Sequence, residues 1–238
     1  MTMIKFPVRN HLVGLAIAAT LVATACAPKV TETTASPEAT ASPAQTVAAT
    51  DASATKADVS VGKPAPNFTA VDSNGKSHQL SDFKGKVVVL EWTNHECPFV
   101  RKHYESENMQ KIQKQATEKG VVWLSVVSSA PGNQGYVDGA KANSLTKERN
   151  ASPTAVLLDP DGKLGRLYGA RTTPHMFVIA ADGTLAYMGA IDSIASSNKA
   201  DVAKAENYVT KAIEQVLKGE PVTNAVTQPY GCSVKYAS

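Results

Sequence analysis

Val87-Val88-Val89-Leu90-Glu91-Trp92-Thr93-Asn94-His95-Glu96-Cys97-Pro98-Phe99-Val100 is the stretch that decides the fold. Its first six residues run apolar on both faces, as a strand buried in the middle of a sheet does, with Glu91 as the one carboxylate among them. Four polar residues then lead to Cys97, and Pro98 behind it fits the first turn of a helix. The helical pattern continues to Lys119, where Gly120 supplies a C-terminal cap. The spacing therefore predicts strand, short loop and helix, with Cys97 at the helix N-terminus. Aligned peptide dipoles there favour the thiolate, which is the nucleophilic form of cysteine. Arg101, Lys102 and His103 follow in the next turn and add positive charge on this reading.

Upstream, Phe68–Val71 and Ser77–Leu80 flank Asp72-Ser73-Asn74-Gly75, and Asn-Gly predicts an N-terminal β-hairpin. A polar turn over Ser81–Lys86 joins it to the central strand. Downstream, Val121–Val127 reads as a second buried strand and Tyr136–Arg149 as a polar helix. Ala155–Leu158 is a third strand, stopped by Asp159-Pro160-Asp161-Gly162, and Lys163–Tyr168 a short helix. Met176–Ala180 and Thr184–Met188 form strands around Asp182-Gly183. Apolar residues at Val202, Tyr208, Val209, Ile213, Val216 and Leu217 predict an amphipathic closing helix over Ala200–Lys218. Strands alternating with helices and ending in a hairpin predict an α/β fold with a mixed central sheet flanked by helices.

The chain begins with an export pattern. Lys5 and Arg9 precede the apolar run Leu12–Val22, which is shorter than the roughly 20 residues a membrane span needs. Ala23-Thr24-Ala25 is a signal-peptidase pattern, so residues 1–25 read as a signal peptide. Cys26 directly after it resembles the lipidated cysteine of bacterial lipoproteins, and Ala27 behind it implies, by the same resemblance, the outer membrane. Plain cleavage leaving a free N-terminal cysteine is the alternative. Residues 26–60 are rich in Ala, Thr, Ser and Pro and lack aromatics, the composition of a disordered tether reaching roughly 30 Å. Residues 61–220 suit one domain, and residues 221–238 form a C-terminal tail. With 24 Lys and Arg against 21 Asp and Glu and no basic stripe, nothing points to nucleic acid. The only membrane contact expected is through the N-terminal lipid, in an exported protein of the cell envelope or periplasm.

Export places Cys97 and Cys232 in an oxidising compartment. Cys232 lies on the tail beside Pro229 and Gly231. A mobile tail lets it resolve a mixed disulfide on Cys97; a permanent Cys97–Cys232 staple and unpaired or intermolecular states are the alternatives. Glu91, on an apolar strand, should have a raised pKa that suits proton transfer, unless a neighbouring Lys pairs with it.

Several stretches together resemble the redoxin superfamily of thioredoxins, alkyl hydroperoxide reductases and thiol-specific antioxidant proteins, over essentially Val61–Lys218. Val61-Gly62-Lys63-Pro64-Ala65-Pro66-Asn67-Phe68 and Leu80-Ser81-Asp82-Phe83-Lys84-Gly85-Lys86-Val87-Val88-Val89-Leu90 are similar to peroxiredoxin-type openings. Glu91–Tyr104 and the tail Gly231-Cys232-Ser233-Val234-Lys235-Tyr236 resemble a peroxiredoxin-like subgroup. The resemblance implies a thioredoxin fold and an oxidoreductase that needs no cofactor or metal. It further implies Cys97 as attacking thiol, Glu91 as the acid that handles protons, and Thr173-Pro174 as a cis-proline loop whose Thr173 backbone receives an extended substrate.

Two departures qualify it. Cys97-Pro98-Phe99-Val100 has Val where a thioredoxin has its second cysteine, and Asn94 and Leu90 stand where a peroxiredoxin has its peroxide-binding Thr or Ser and its Pro. The leading reading is a thiol–disulfide oxidoreductase acting on protein or small-molecule disulfides and thiols. Two others stay open: peroxide reduction through a sulfenic acid on Cys97, and a non-enzymatic metal-binding or interaction module using His95, Cys97 and His175.

Overall fold

The computed structural model describes residues 59–238. The expected signal peptide, Cys26 and nearly all of the expected tether lie outside the described residues.

Seven strands form one sheet in the order β2-β1-β5-β4-β3-β7-β8. They are β1 (Thr69–Asp72), β2 (Ser77–Gln79), β3 (Val88–Trp92), β4 (Val122–Val127), β5 (Ala155–Leu158), β7 (His175–Ile179) and β8 (Leu185–Gly189). The β3–β4 and β4–β5 pairs are parallel, and the others are antiparallel, so the sheet is mixed as expected. The hairpin β1–β2 turns where the Asp72 carboxylate accepts from the amides of Asn74 (2.8 Å) and Lys76 (3.0 Å).

β3 is enclosed by β4 and β7, and all five of its residues are buried. Alternate residues point to opposite faces. Val89 joins Trp123, Met176 and Val178 under the helices α1 (Pro98–Glu105), α2 (Asn108–Glu118) and α5 (Tyr208–Leu217). Leu90 and Trp92 join Leu124, Phe177 and Tyr168 on the other face, against α4 (Lys163–Tyr168). Between α2 and α4 in sequence, α3 (Gly139–Glu148) covers a smaller cluster around Val127 and Val137. This architecture is the thioredoxin fold. No helix among the described residues is long and apolar enough to cross a membrane.

Three helix boundaries differ from expectation, each for a local reason. The predicted helix from Pro98 to Lys119 is two helices broken at Ser106-Glu107, where Glu107 is left-handed at φ 60°. At the break the Tyr104 carbonyl accepts from the Glu107 amide (3.2 Å) and also from the Gln110 carboxamide (2.8 Å). The predicted helix over Tyr136–Arg149 starts only at Gly139, because the Asp138 carboxylate caps it by accepting from the Lys141 amide at 2.7 Å. The closing helix starts at Tyr208, capped by Asn207 accepting from the Thr210 amide at 2.9 Å, and residues 199–201 are a separate 3-10 turn.

The tail is docked along its length. Met188 and Thr227 exchange backbone hydrogen bonds with their surroundings on β8, with Met188 N donating to Ala225 O (3.0 Å) and Thr227 N to Met188 O (3.1 Å). β9 (Cys232–Ser233) pairs antiparallel with β6 (Thr172–Thr173), with Thr173 opposite Cys232. Beyond it, the Lys235 carbonyl accepts from the Ala130 amide at 2.8 Å, and the Tyr236 hydroxyl donates to Ala170 O at 2.8 Å.

Candidate active site

Cys97 is the N-cap residue of α1, and the amides of Val100 and Arg101 already donate to its carbonyl (3.0 and 2.9 Å). The loop before it is held by Asn94, whose carboxamide accepts from the Glu96 amide (2.9 Å) and donates to Gln134 O (3.2 Å). Asn94 is therefore spent on loop shape. The Cys97 side chain is fully covered, and its Sγ–H donates to the Thr173 carbonyl at 3.1 Å. The Thr173–Pro174 peptide is cis, and Thr173 is 2% exposed. The cysteine, the residue before the proline and the tail thus meet at one point.

Both cysteines are free thiols, and the Cys232 thiol is within hydrogen-bonding reach of Cys97. Burial pushes the Cys97 thiol up. Hydrogen bonds from Cys232, Thr173 and the backbone amides of Cys232 and Val100 outweigh it, so Cys97 ends below the ordinary thiol value. Cys232 moves the opposite way, pushed up to about 11 by burial, then by its bond to Cys97 and the charge there. The pair is polarised, with Cys97 as the acidic thiol and Cys232 as its proton-bearing neighbour.

The positive charge expected from the next turn is already compensated. Arg101 faces solvent and pairs with Glu105 at 2.9 Å. Lys102 is buried against Asp192 at 3.2 Å. His103 is pushed down to about 4, by burial first and then by Lys102, so its ring is neutral near pH 7. Hydrogen bonds and the helix terminus, rather than free cations, favour the Cys97 thiolate.

Glu91 is fully buried on the α1–α2 side of β3. One carboxylate oxygen accepts from the Tyr104 hydroxyl (2.9 Å). The other accepts from Trp123 Nε1 (2.8 Å), Ser125 Oγ (2.9 Å) and Gln113 Nε2 (3.1 Å). The Ser152 amide, donating to Gln113 Oε1 at 2.9 Å, fixes that carboxamide with its donors toward Glu91. Burial raises the Glu91 pKa, and the four donors pull it back only in part. Among the described residues no lysine pairs with it. Among the described residues its side-chain hydrogen bonds go to these four groups, none to Cys97. Sequence reasoning found Glu91 but missed its shell: Gln113, Trp123 and Ser125 come from other elements, and nothing local marks them.

The histidines do not assemble with Cys97. His175 lies with Trp92 and Phe177 on the opposite face of the sheet, its ring 4.5 Å from that of Phe177. It is pushed down to about 3, by burial first and then by Arg171. The Arg171 amide donates to its Nδ1 at 3.3 Å. Among the described residues no cluster of three or more His, Cys, Asp or Glu is placed to hold a metal ion, so the His95–Cys97–His175 set proposed from sequence is not brought together.

The Redoxin family model matches residues 60–209, from the first described segment into α5. The tail carrying Cys232 lies beyond the matched span. The thiol-disulfide oxidoreductase ResA of Bacillus thuringiensis subsp. konkukian (strain 97-27) is 32% identical over 123 residues, 52% of this chain and 65% of that protein. The chain thus spans just under two thirds of that relative. Among solved structures, a hypothetical protein from Sinorhizobium meliloti 1021 superposes with a TM-score of 0.63 at 21% identity, covering 76% of this chain and 97% of that one. An uncharacterized conserved protein from Geobacillus kaustophilus gives 0.62 at 22% identity, covering 75% and 93%. These two likenesses support the fold.

Proposed function

We propose that this chain, which belongs to the Redoxin family, is a thiol–disulfide oxidoreductase whose working couple is Cys97 and Cys232. The observation that carries the reading is the polarised contact between the two thiols beside the cis Thr173–Pro174 peptide. The Cys97 thiolate attacks one sulfur of a substrate disulfide. That S–S bond breaks, one substrate thiolate leaves and takes a proton, and a mixed disulfide remains on Cys97. Cys232 then loses its proton and attacks the Cys97 sulfur. The mixed disulfide breaks, and the second substrate thiolate leaves and takes a proton. The two electrons given up by the Cys97–Cys232 dithiol reside on the reduced substrate, while the protein is left with the internal disulfide. The reverse sequence oxidises a dithiol.

Glu91 is the candidate proton acceptor. Its buried, raised carboxyl supports the role, and because it does not touch Cys97 it would act through the Tyr104 hydroxyl or an intervening water. Thr173 and Pro174 would orient the substrate chain. The edge they offer is occupied by β9, so a substrate has to displace the tail. The substrates read from this site are disulfides and dithiols of proteins or small molecules. Asn94 presents no free hydroxyl beside Cys97, which disfavours peroxides and the peroxiredoxin-like reading of the subgroup. Export to the cell envelope, with Cys26 lipidated at the outer membrane, is supported by the N-terminal sequence pattern. Cys97→Ser should abolish reduction of insulin or another disulfide substrate; a variant that reduces it at the normal rate overturns the proposal.

A further inference from the structure

Lys102 sits five residues after Cys97 on α1, with its side chain withdrawn from solvent. A buried ammonium has three donors that each need an acceptor. Two go to Asp192 Oδ2 (3.2 Å) and the Ile194 carbonyl (3.3 Å), and the third goes to the Tyr230 hydroxyl (3.1 Å). The same hydroxyl donates to Asp192 Oδ1, and His103 Nε2 approaches it at 3.4 Å. The Tyr230 ring stands edge-on to Phe99, 5.9 Å between centroids. One phenol from the tail thus completes a buried ion pair whose cation is carried by the helix that begins at Cys97.

Only Gly231 separates Tyr230 from Cys232. It is held at φ 125°, and a Cβ on it would lie 2.1 Å from the Thr173 carbonyl oxygen. On the far side of Cys232, Ser233 pairs with Thr172 and the Val234 amide donates to Arg171 O at 3.0 Å. Cys232 is therefore pinned from both sides, and the Tyr230 anchor is tied to the same helix as the nucleophile.

We propose that Tyr230 is a positioning residue: its hydroxyl, bound by Lys102 and Asp192, latches the tail so that Cys232 stands on Cys97 and covers it. The proposal rests on the reading of the two cysteines as a couple. The latch raises the effective concentration of Cys232 at Cys97. It favours the internal disulfide in the exchange by which oxidised glutathione takes two electrons and two protons from the dithiol and leaves as two reduced molecules. Releasing the latch opens Cys97 to an incoming disulfide.

The test is a graded glutathione titration of wild type, Tyr230→Phe and Phe99→Leu, with thiol states read by mass after alkylation, and the alkylation rate of Cys97 in each reduced protein. Phe keeps the ring and leaves Lys102 on Asp192, whereas Phe99→Leu keeps the hydroxyl and its partners. Tyr230→Phe is expected to lower the equilibrium constant of the internal disulfide by about tenfold, about 30 mV for a two-electron couple. It is also expected to speed Cys97 alkylation by about tenfold, and Phe99→Leu to move both by less than about threefold. Equal values in wild type and Tyr230→Phe overturn the latch while leaving the couple intact. A wild type that forms no reversible Cys97–Cys232 disulfide overturns both. A second measurement needs no variant: Cys97 alkylation in wild type should respond weakly to urea below the unfolding transition, as local opening does. A dependence as steep as global unfolding overturns the latch.

Discussion

Glu91 presents its carboxylate to four neutral donors in a space closed to water, with no cation among the described residues paired to it. The geometry suits the charged form and the burial suits the neutral one, which leaves a carboxyl whose pKa lies above its ordinary value. Glu91→Gln removes the titration with little change in volume. Resolution of a mixed disulfide by Cys232 should then slow toward the lower end of the about 10²–10⁴-fold that acid–base groups contribute, and its pH profile should lose the limb that Glu91 sets. Stopped-flow kinetics across pH measures this; an unchanged profile limits Glu91 to a packing role. The placement of Cys97 at a helix N-terminus, of Glu91 on a buried strand and of the cis peptide at Thr173-Pro174 was legible in the sequence because each sits in a short local pattern. Lys102 was legible only as a charge. Its burial depends on Asp192 and Tyr230, which lie 90 and 128 residues further along the chain.

At the scale of elements, the central strand and its neighbours were readable because burial on both faces forces continuous apolar runs at β3, β4 and β7. Helix limits were less so, since each was decided by one capping side chain or, at Glu107, by a left-handed residue that the apolar pattern runs across. The β6–β9 pair is two residues on each strand, too short for any periodic signal. It nevertheless covers the Cys97 thiol. Gly231 is its weak point, having both a left-handed backbone and no room for a side chain. Gly231→Ala should cost about 1–3 kcal/mol in local strain, relieved by lifting β9 off Thr173. The expected result is faster alkylation of Cys97 with a nearly unchanged global urea midpoint. An unchanged alkylation rate would mean that the strand tolerates the methyl group and is not held against Thr173 as described.

Across the whole molecule, two histidines couple stability to pH. His103 and His175 are neutral in the fold, held down to about 4 and about 3 by burial first, and both titrate near 6.5 when unfolded. A depressed histidine pKa stabilises the native state fully above 6.5, and that stability is lost as pH falls from 6.5 toward 4 and then 3. Glu91 opposes them, because its raised pKa favours the native state as pH falls through its folded value toward 4.5. Urea midpoints should therefore decline from pH 7 to pH 4, and His175→Phe should flatten the decline; a midpoint constant over that range contradicts the burial of both rings as neutral groups. The tail's docking belongs to this scale too, since Gln228-Pro229-Tyr230-Gly231 announces only a turn, while its partners lie on α1, β6 and β8. The central claim, that Cys97 attacks and Cys232 resolves, is tested most directly by mass spectrometry after exposing the reduced protein to oxidised glutathione. Cys232→Ser should accumulate one glutathione on Cys97, while the wild type should show no adduct and the loss of two hydrogens to an internal Cys97–Cys232 disulfide. An adduct that persists equally in the wild type, or that forms first on Cys232, would contradict the account.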